Sequence, residues 1–232
     1  MAGRGLRFKN AGYIDPKPMI KVGDRTMIEW AIHSLKDLTI GHQYFFIALD
    51  SDLNYGLNKV LLNKGKIIAL PHVTSGAVNS SLFASKFIDN SLPLIIMNCD
   101  QFLNWSIDDF LYSVKKFDAG VVVFKSQNPH HSYIKYKSKN VSKVEEKNVI
   151  SDLACGGIYY FKHGSDYVHA ANSLLKNKIT TNGEYYISPT LNKLIEEGKH
   201  VTYYEVELKN IFMLGTPEEL TFSEPRMMKI KE

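Results

Sequence analysis

The chain has 232 residues, 44% of them hydrophobic and 22% charged, a balance that suits a soluble globular protein with a substantial core. Its 28 basic and 24 acidic side chains leave a net charge of +4, too diffuse to specify a nucleic-acid partner but suited to a small anionic one. Two cysteines, Cys99 and Cys155, make neither a disulfide framework nor a zinc-type ligand set, and no apolar run approaches the roughly 18 residues of a membrane span, so a cytoplasmic setting without membrane contact is expected.

The chain opens on closely spaced glycines and basic residues (MAGRGLRF, then PKP) with no apolar strand before them. Helical spacing follows at residues 26–35 (TMIEWAIHSL), then strands at 44–49 (YFFIAL) and 66–70 (KIIAL). Residues 76–87 read as helical, and the continuous apolar run 92–97 (LPLIIM) reads as a strand buried on both faces, ending in Asn98, Cys99, Asp100 and Gln101. A helix at 107–116 and a strand at 119–125 complete the first part. Beyond it, short alternating pieces at 133–137 and 158–161 flank a charged segment at 143–147; 167–177 and 187–197 read as helices, and 201–206 as a late strand. Strands alternating with helices predict an α/β fold, a Rossmann-like doubly wound and mostly parallel mixed sheet, with ligands outside the carboxyl ends of the strands. One domain is expected over 1–232, its later part, from about 127, reading as substrate-side elaboration on that sheet.

Several groups in this frame carry chemistry. Gly3 and Gly5 flank Arg4, with Arg7 and Lys17 following. Glycines allow close backbone approach to a polyphosphate, Arg7 can grip phosphate oxygens as a fork, and Lys17 can act as a point charge stiffened by Pro16 and Pro18. The same residues fit a flexible basic tail. Asp100, closing the most apolar strand, can hold a magnesium ion or cap the next helix. Glu145-Glu146-Lys147 fits a solvated charge run, and Glu184-Tyr185-Tyr186 a helix start. In Gly215-Thr216-Pro217, Thr216 is the expected N-cap and Pro217 the first helical residue, while His130 and His131 read as surface residues.

In order, MAGRGLRF, PKPMIKV, MIEWAIHSL, TSGA, LIIMNCDQF, VEEKNVISDLACGGIYYFKHGSD, NGEYYISPTLNKLIEEGK and LGTPEEL resemble the sugar-phosphate nucleotidyltransferases, especially short bacterial members of capsule and lipopolysaccharide biosynthesis. The resemblance runs over nearly the whole chain. It implies a glycosyltransferase-A-like fold, with a nucleotide-binding half at about 1–126 and an acceptor-binding half at about 127–232, and transfer of a nucleoside monophosphate from an NTP to a phosphorylated acceptor, with release of pyrophosphate. By motif position it implies that Ala2, Gly3, Arg4, Gly5 and Arg7 hold the triphosphate, that Lys17 reaches the α- and β-phosphates, and that Gly76 lies against the base. Asp100 matches the Mg2+ ligand; Glu146 and Lys147 match the pair serving the acceptor; Gly157, Tyr159 and Glu184 match segments lining the sugar pocket. Arg7, Lys17 and Asp100 are the catalytic set so implied, and enzymes of this type often form homo-oligomers.

The text departs from the pattern twice. Where many members carry a metal-binding aspartate two residues before Gly-Thr-Pro, this chain has Met213, a poor magnesium ligand; either Asp100 with water and phosphate oxygens suffices, or another carboxylate, Asp152, swings in. The apolar run that normally precedes the glycine-rich turn as a central strand does not stand there. Two other functions compete: a cytidylyltransferase acting on phosphocholine or a phosphorylated amino acid, and a non-catalytic nucleotide-binding or assembly subunit. A glycosyltransferase would want Asp-x-Asp at the strand end, which Asn98-Cys99-Asp100 does not supply.

Overall fold

The computed structural model of the chain describes residue 3 and residues 5–230. Its strands, in chain order, are β1 (Lys21–Val22), β2 (Arg25–Thr26), β3 (Phe45–Leu49), β4 (Lys66–Leu70), β5 (Leu94–Met97), β6 (Gln101–Leu103), β7 (Ala119–Lys125), β8 (Ser132–Lys137), β9 (Asn140–Glu146), β10 (Leu153–Phe161), β11 (Val201–Glu205) and β12 (Ile211–Met213). The residues fall into two compact units. Of the described residues, one unit comprises 3, 5–73, 98–108 and 208–230; the other comprises 74–97 and 109–207.

The first unit is built on short pairings: β1 with β2, β3 with β4 in parallel, and β6 with β12 antiparallel. The helix Met27–His33 starts on a reciprocal cap. The Thr26 hydroxyl accepts from Glu29 N–H, and Thr26 N–H donates to the Glu29 carboxylate at 2.8 Å. That helix buries Met27 and Trp30 against Phe8, Val22, Phe102, Phe212, Leu214 and Met227, and the Trp30 indole donates to Val22 C=O at 2.8 Å. The β12–β6 register sets Met213 opposite Gln101, and Leu214 N–H donates to Asp100 C=O at 2.9 Å. The turn after β12 is thereby fixed beside Asp100.

The second unit carries a six-stranded sheet in the order β5-β10-β7-β11-β9-β8. Six of the seven residues of β7 and all nine of β10 are buried, as central strands require. The expected α/β class with a mixed sheet is present, but the pairing is more antiparallel than strand–helix alternation implies. Only β3–β4 and β7–β11 are parallel among the described strands. The reason is that the chain after Lys125 returns in a hairpin, β8–β9, and then in β10, which runs antiparallel to both β5 and β7. The segment 143–147 is accordingly no free charge run: most of it belongs to β9, which buries Val141 and Val144.

The apolar run ending at Met97 differs from expectation. It forms β5 at the edge of the six-stranded sheet, paired among the described residues only with β10, and all four of its residues are half-buried. Likewise β3 pairs only with β4, and no strand precedes Lys21 among the described residues. His131 is half-buried rather than a surface residue; burial, then the neighbouring His130, lowers its pKa, and its ring meets Phe124 edge-on at 5.3 Å. The helix Pro217–Met227 begins as expected, with the Thr216 hydroxyl accepting from Glu219 N–H at 3.2 Å.

Candidate active site

Two groups of the expected site residues come together, one in each unit. In the first, Pro18 is buried and the residues 17–19 form a tight turn that directs Lys17 inward. The Lys17 ammonium donates to Asp100 Oδ2 at 2.6 Å and to Gly215 C=O at 2.9 Å, with side chains 21% and 26% exposed for the pair. Burial alone would discharge both groups. The Asp100 charge overrides it and raises the Lys17 pKa; in the other direction the Lys17 ammonium overrides burial and holds the Asp100 carboxyl below its usual range. Both are therefore ionised at neutral pH.

Gly5 stands at the start of the short helix Leu6–Asn10 with φ of 61°, and a methyl group there would touch Lys17 Cβ at 3.4 Å. Phe8 of this helix is buried in the core and lies under the Lys17 ammonium at 5.4 Å, whereas Arg7 is exposed. Gly3 is exposed with open space around it; Ala2 and Arg4 lie outside the described residues. Glu219, which sequence reasoning took only as part of a helix start, is half-buried beside Asp100. Burial and then the Asp100 charge raise its pKa.

In the second unit Glu146 ends β9 and is the hub of a polar group. Its Oε2 accepts from the Ser188 hydroxyl at 2.6 Å and from the Ser132 hydroxyl. Burial, only partly offset by these two donors and by Lys147, raises its pKa. Lys147 has φ of 56°, a left-handed backbone rarely adopted by a residue with a side chain, and its N–H donates to His131 C=O at 3.1 Å. This turn sends its ammonium to the Tyr186 hydroxyl, which in turn donates to Glu184. In β10 a bulge between Cys155 and Tyr159 contains Gly157 in the left-handed region, at φ of 70°. Tyr159 is buried near Glu146; burial first, then the Cys155 and Glu146 charges, push its hydroxyl pKa well up.

Gly76 belongs to this unit too. Its φ of 139° and the 2.4 Å separation of a would-be methyl from Tyr185 N leave room for glycine alone. Tyr185 N–H donates to Ser75 C=O at 3.0 Å, and Val78 N–H donates to Tyr185 C=O at 3.1 Å, tying this loop to the segment holding Glu184. Ser132 and Ser188 carry no mark in the sequence, whereas Tyr186 stands there only as part of the Glu184-Tyr185-Tyr186 run.

No group of three or more His, Cys, Asp or Glu side chains suited to a metal occurs among the described residues. The oxygens around Lys17, from the Asp100 carboxylate and the Gly215 carbonyl, are nonetheless hard donors of the kind magnesium takes, and magnesium commonly uses only one or two protein carboxylates. Asp152, the alternative carboxylate, accepts from the Tyr136 hydroxyl at 3.2 Å. Among the described residues no helix is long and apolar enough to cross a membrane.

The chain has the glycosyltransferase-A-like fold of the nucleotidyltransferases. In sequence it is similar to the bifunctional protein GlmU of Methanocaldococcus jannaschii, 25% identical over 207 residues that cover 85% of this chain and 46% of that protein. With 48% of a second GlmU covered, the chain spans about half the length of the curated relatives it matches. Among solved structures it matches the nucleoside-diphosphate-sugar pyrophosphorylase of Vibrio cholerae with a TM-score of 0.84 and 25% identity, over 97% of this chain and 98% of that one. The inositol-1-phosphate CTP transferase of T. maritima shares the fold, with a TM-score of 0.78 at 16% identity over 100% of this chain and 94% of that one. No protein-family model matches the chain.

Proposed function

We propose that the chain is a sugar-phosphate nucleotidyltransferase: it transfers a nucleoside monophosphate from an NTP to a phosphorylated acceptor, most simply a sugar 1-phosphate, and releases pyrophosphate. The observation that carries this reading is the Lys17–Asp100 pair, a charged couple held 2.6 Å apart next to the glycine-rich turn at Gly5. A glycine at that turn lets backbone N–H groups face phosphate, and Arg7 on the following turn adds a fork of donors. Lys17, charged at neutral pH, binds the α- and β-phosphates, where it offsets the charge that accumulates as the acceptor oxygen attacks the α-phosphorus in line. A divalent cation on Asp100, Mg2+ by resemblance, would supply further charge neutralisation on the phosphates.

In the second unit Lys147 binds the acceptor phosphate, with Tyr186 and Glu184 orienting its ammonium. Glu146, fixed by Ser132 and Ser188, accepts hydrogen bonds from acceptor hydroxyls; Tyr159 and the Gly157 bulge line the same pocket, and Gly76 positions the loop against the base. Such chemistry needs positioning and charge compensation more than a covalent nucleophile. The product is an activated sugar for surface polysaccharide, capsule or lipopolysaccharide, made in the cytoplasm where NTPs are available.

The test is a screen of pyrophosphate release across CTP, UTP, GTP and dTTP, each with a panel of sugar 1-phosphates, phosphocholine and phosphorylated amino acids. Turnover with one sugar 1-phosphate pair is expected. Turnover with phosphocholine or a phosphorylated amino acid alone would replace the acceptor class, and NTP binding without pyrophosphate from any pair would make the chain a non-catalytic nucleotide-binding or assembly subunit.

A further inference from the structure

The cation seat in the first unit has a second carboxylate, and we propose that it is Glu219: Asp100 and Glu219 together bind the divalent cation, and the Lys17 ammonium holds that seat while no cation is bound. The residue that the resemblance would assign to this task, Met213, presents a soft thioether, and its carbonyl is engaged by the Ser223 hydroxyl at 2.8 Å. Glu219 lies in the first turn of the helix Pro217–Met227, where the Thr216 cap fixes its backbone. Its half-buried side chain folds back over the turn toward Gly215 instead of extending into solvent.

Gly215 measures the convergence of the two acids. A methyl group at that position would stand 2.8 Å from Glu219 Oε2 and 3.6 Å from Asp100 Oδ2. Both carboxylates thus face one small volume, kept open because residue 215 has no side chain. The Gly215 carbonyl joins them, since it accepts from the same Lys17 ammonium that binds Asp100. Two carboxylates and a carbonyl are an oxygen-only donor set, the type that Mg2+ and Mn2+ complete with water and substrate phosphate. An ammonium is a compact point charge, so it can neutralise the same oxygens and move to a phosphate when a divalent cation displaces it.

The inference rests on the nucleotidyltransferase reading only for the phosphate that shares the cation; the seat itself is measured without turnover. The probe is Mn2+ alone, titrated with the full-length protein and followed by loss of the free-ion electron paramagnetic resonance signal. Glu219→Gln and Asp100→Asn are each expected to weaken Mn2+ binding by at least about tenfold, the loss common for groups that support a metal site. Lys17→Met should tighten it by removing the competing ammonium. Gly215→Ala should weaken it without changing any charge, which covers the case in which Glu219→Gln disturbs the helix start. Wild-type protein that leaves the free Mn2+ signal unchanged overturns the proposal. So does Mn2+ affinity that drops in Asp100→Asn but stays at the wild-type value in both Glu219→Gln and Gly215→Ala. Pyrophosphate release on the same preparations separates the two readings. Mn2+ affinity dependent on both carboxylates in a protein that turns over no substrate pair supports the seat and retires the enzyme; turnover with Mn2+ affinity insensitive to Glu219 does the reverse.

Discussion

Replacing Lys17 by methionine keeps most of the stem that packs against Gly5 but deletes the ammonium held between Asp100 and the Gly215 carbonyl. The Asp100 carboxylate then stays three-quarters buried without its counter-charge. Losing one member of a fully buried pair costs about 3–5 kcal/mol and an exposed pair is worth at most about 1, so Lys17→Met is expected to lose about 2–3 kcal/mol. In urea this is a midpoint lower by about 1 M, at an m-value of ~2–3 kcal/mol/M. Asp100→Asn in the same background should restore more than half of the loss, because the uncompensated charge on Asp100 is removed. The pH dependence follows from the directions of the two shifts. Asp100 is held low, so its contribution is complete above the ordinary carboxylate range and is lost as pH falls through the lowered value. Lys17 is held high, so its contribution is complete below the ordinary lysine value and is lost as pH climbs through the raised one. The stability gap between wild type and variant should therefore be flat across neutral pH and close at both extremes. In turnover, kcat should fall on the order of 10²–10³, as for loss of one preorganised donor. A kcat loss under about threefold would remove Lys17 from the chemistry, and a double variant no more stable than Lys17→Met would refute the electrostatic account of the pair.

Glu146→Gln should raise the KM for the acceptor by about tenfold, the worth of one charge-assisted hydrogen bond, with a smaller change in kcat. Because burial raises the Glu146 pKa, wild-type acceptor affinity should decline on acidification starting above pH 4.5, and the variant's KM should be flat there in steady-state assays. A raised carboxylate pKa also means that the fold gains stability from Glu146 as pH falls through that value, a gain absent from the variant in urea titrations. Gly76→Ala combines a left-handed φ of 139° with a contact of 2.4 Å and should cost about 2–3 kcal/mol in thermal or urea unfolding. Thr216→Ala removes the cap of the last helix and should cost about 1 kcal/mol by the same measurement.

What the sequence shows of this molecule depends on the range of the interactions. The start of the last helix was legible because Thr216 and Pro217 act on their own backbone. The strands 66–70 and 119–125 were legible residue for residue, because apolar runs bounded by proline or charge leave little freedom. Asp100 could be found because a polar residue closing an apolar strand stands out locally. Ser132 and Ser188 could not: they meet on Glu146 from positions far apart in the chain, and a serine carries no local mark of its distant partner. Glu219 was visible but misleading, since an acid in a first helical turn has a sufficient local explanation. Only the β12–β6 register, which carries the Gly215 turn to Asp100, shows its second neighbour. The edge position of β5 escaped for the same reason: an apolar run records that a strand is apolar, not how many strands flank it.

The two hydrogen bonds that tie Tyr185 to Ser75 and Val78 have a consequence for anyone re-engineering this chain. Residues 75–78 and 184–186 share one backbone template, with glycine at 76 as the spacer that lets them touch. Grafting either loop alone from a relative would leave the other loop shaped for a neighbour that is no longer there. For the design of chimaeras, the two form a single exchangeable cassette, although more than a hundred residues separate them in the chain.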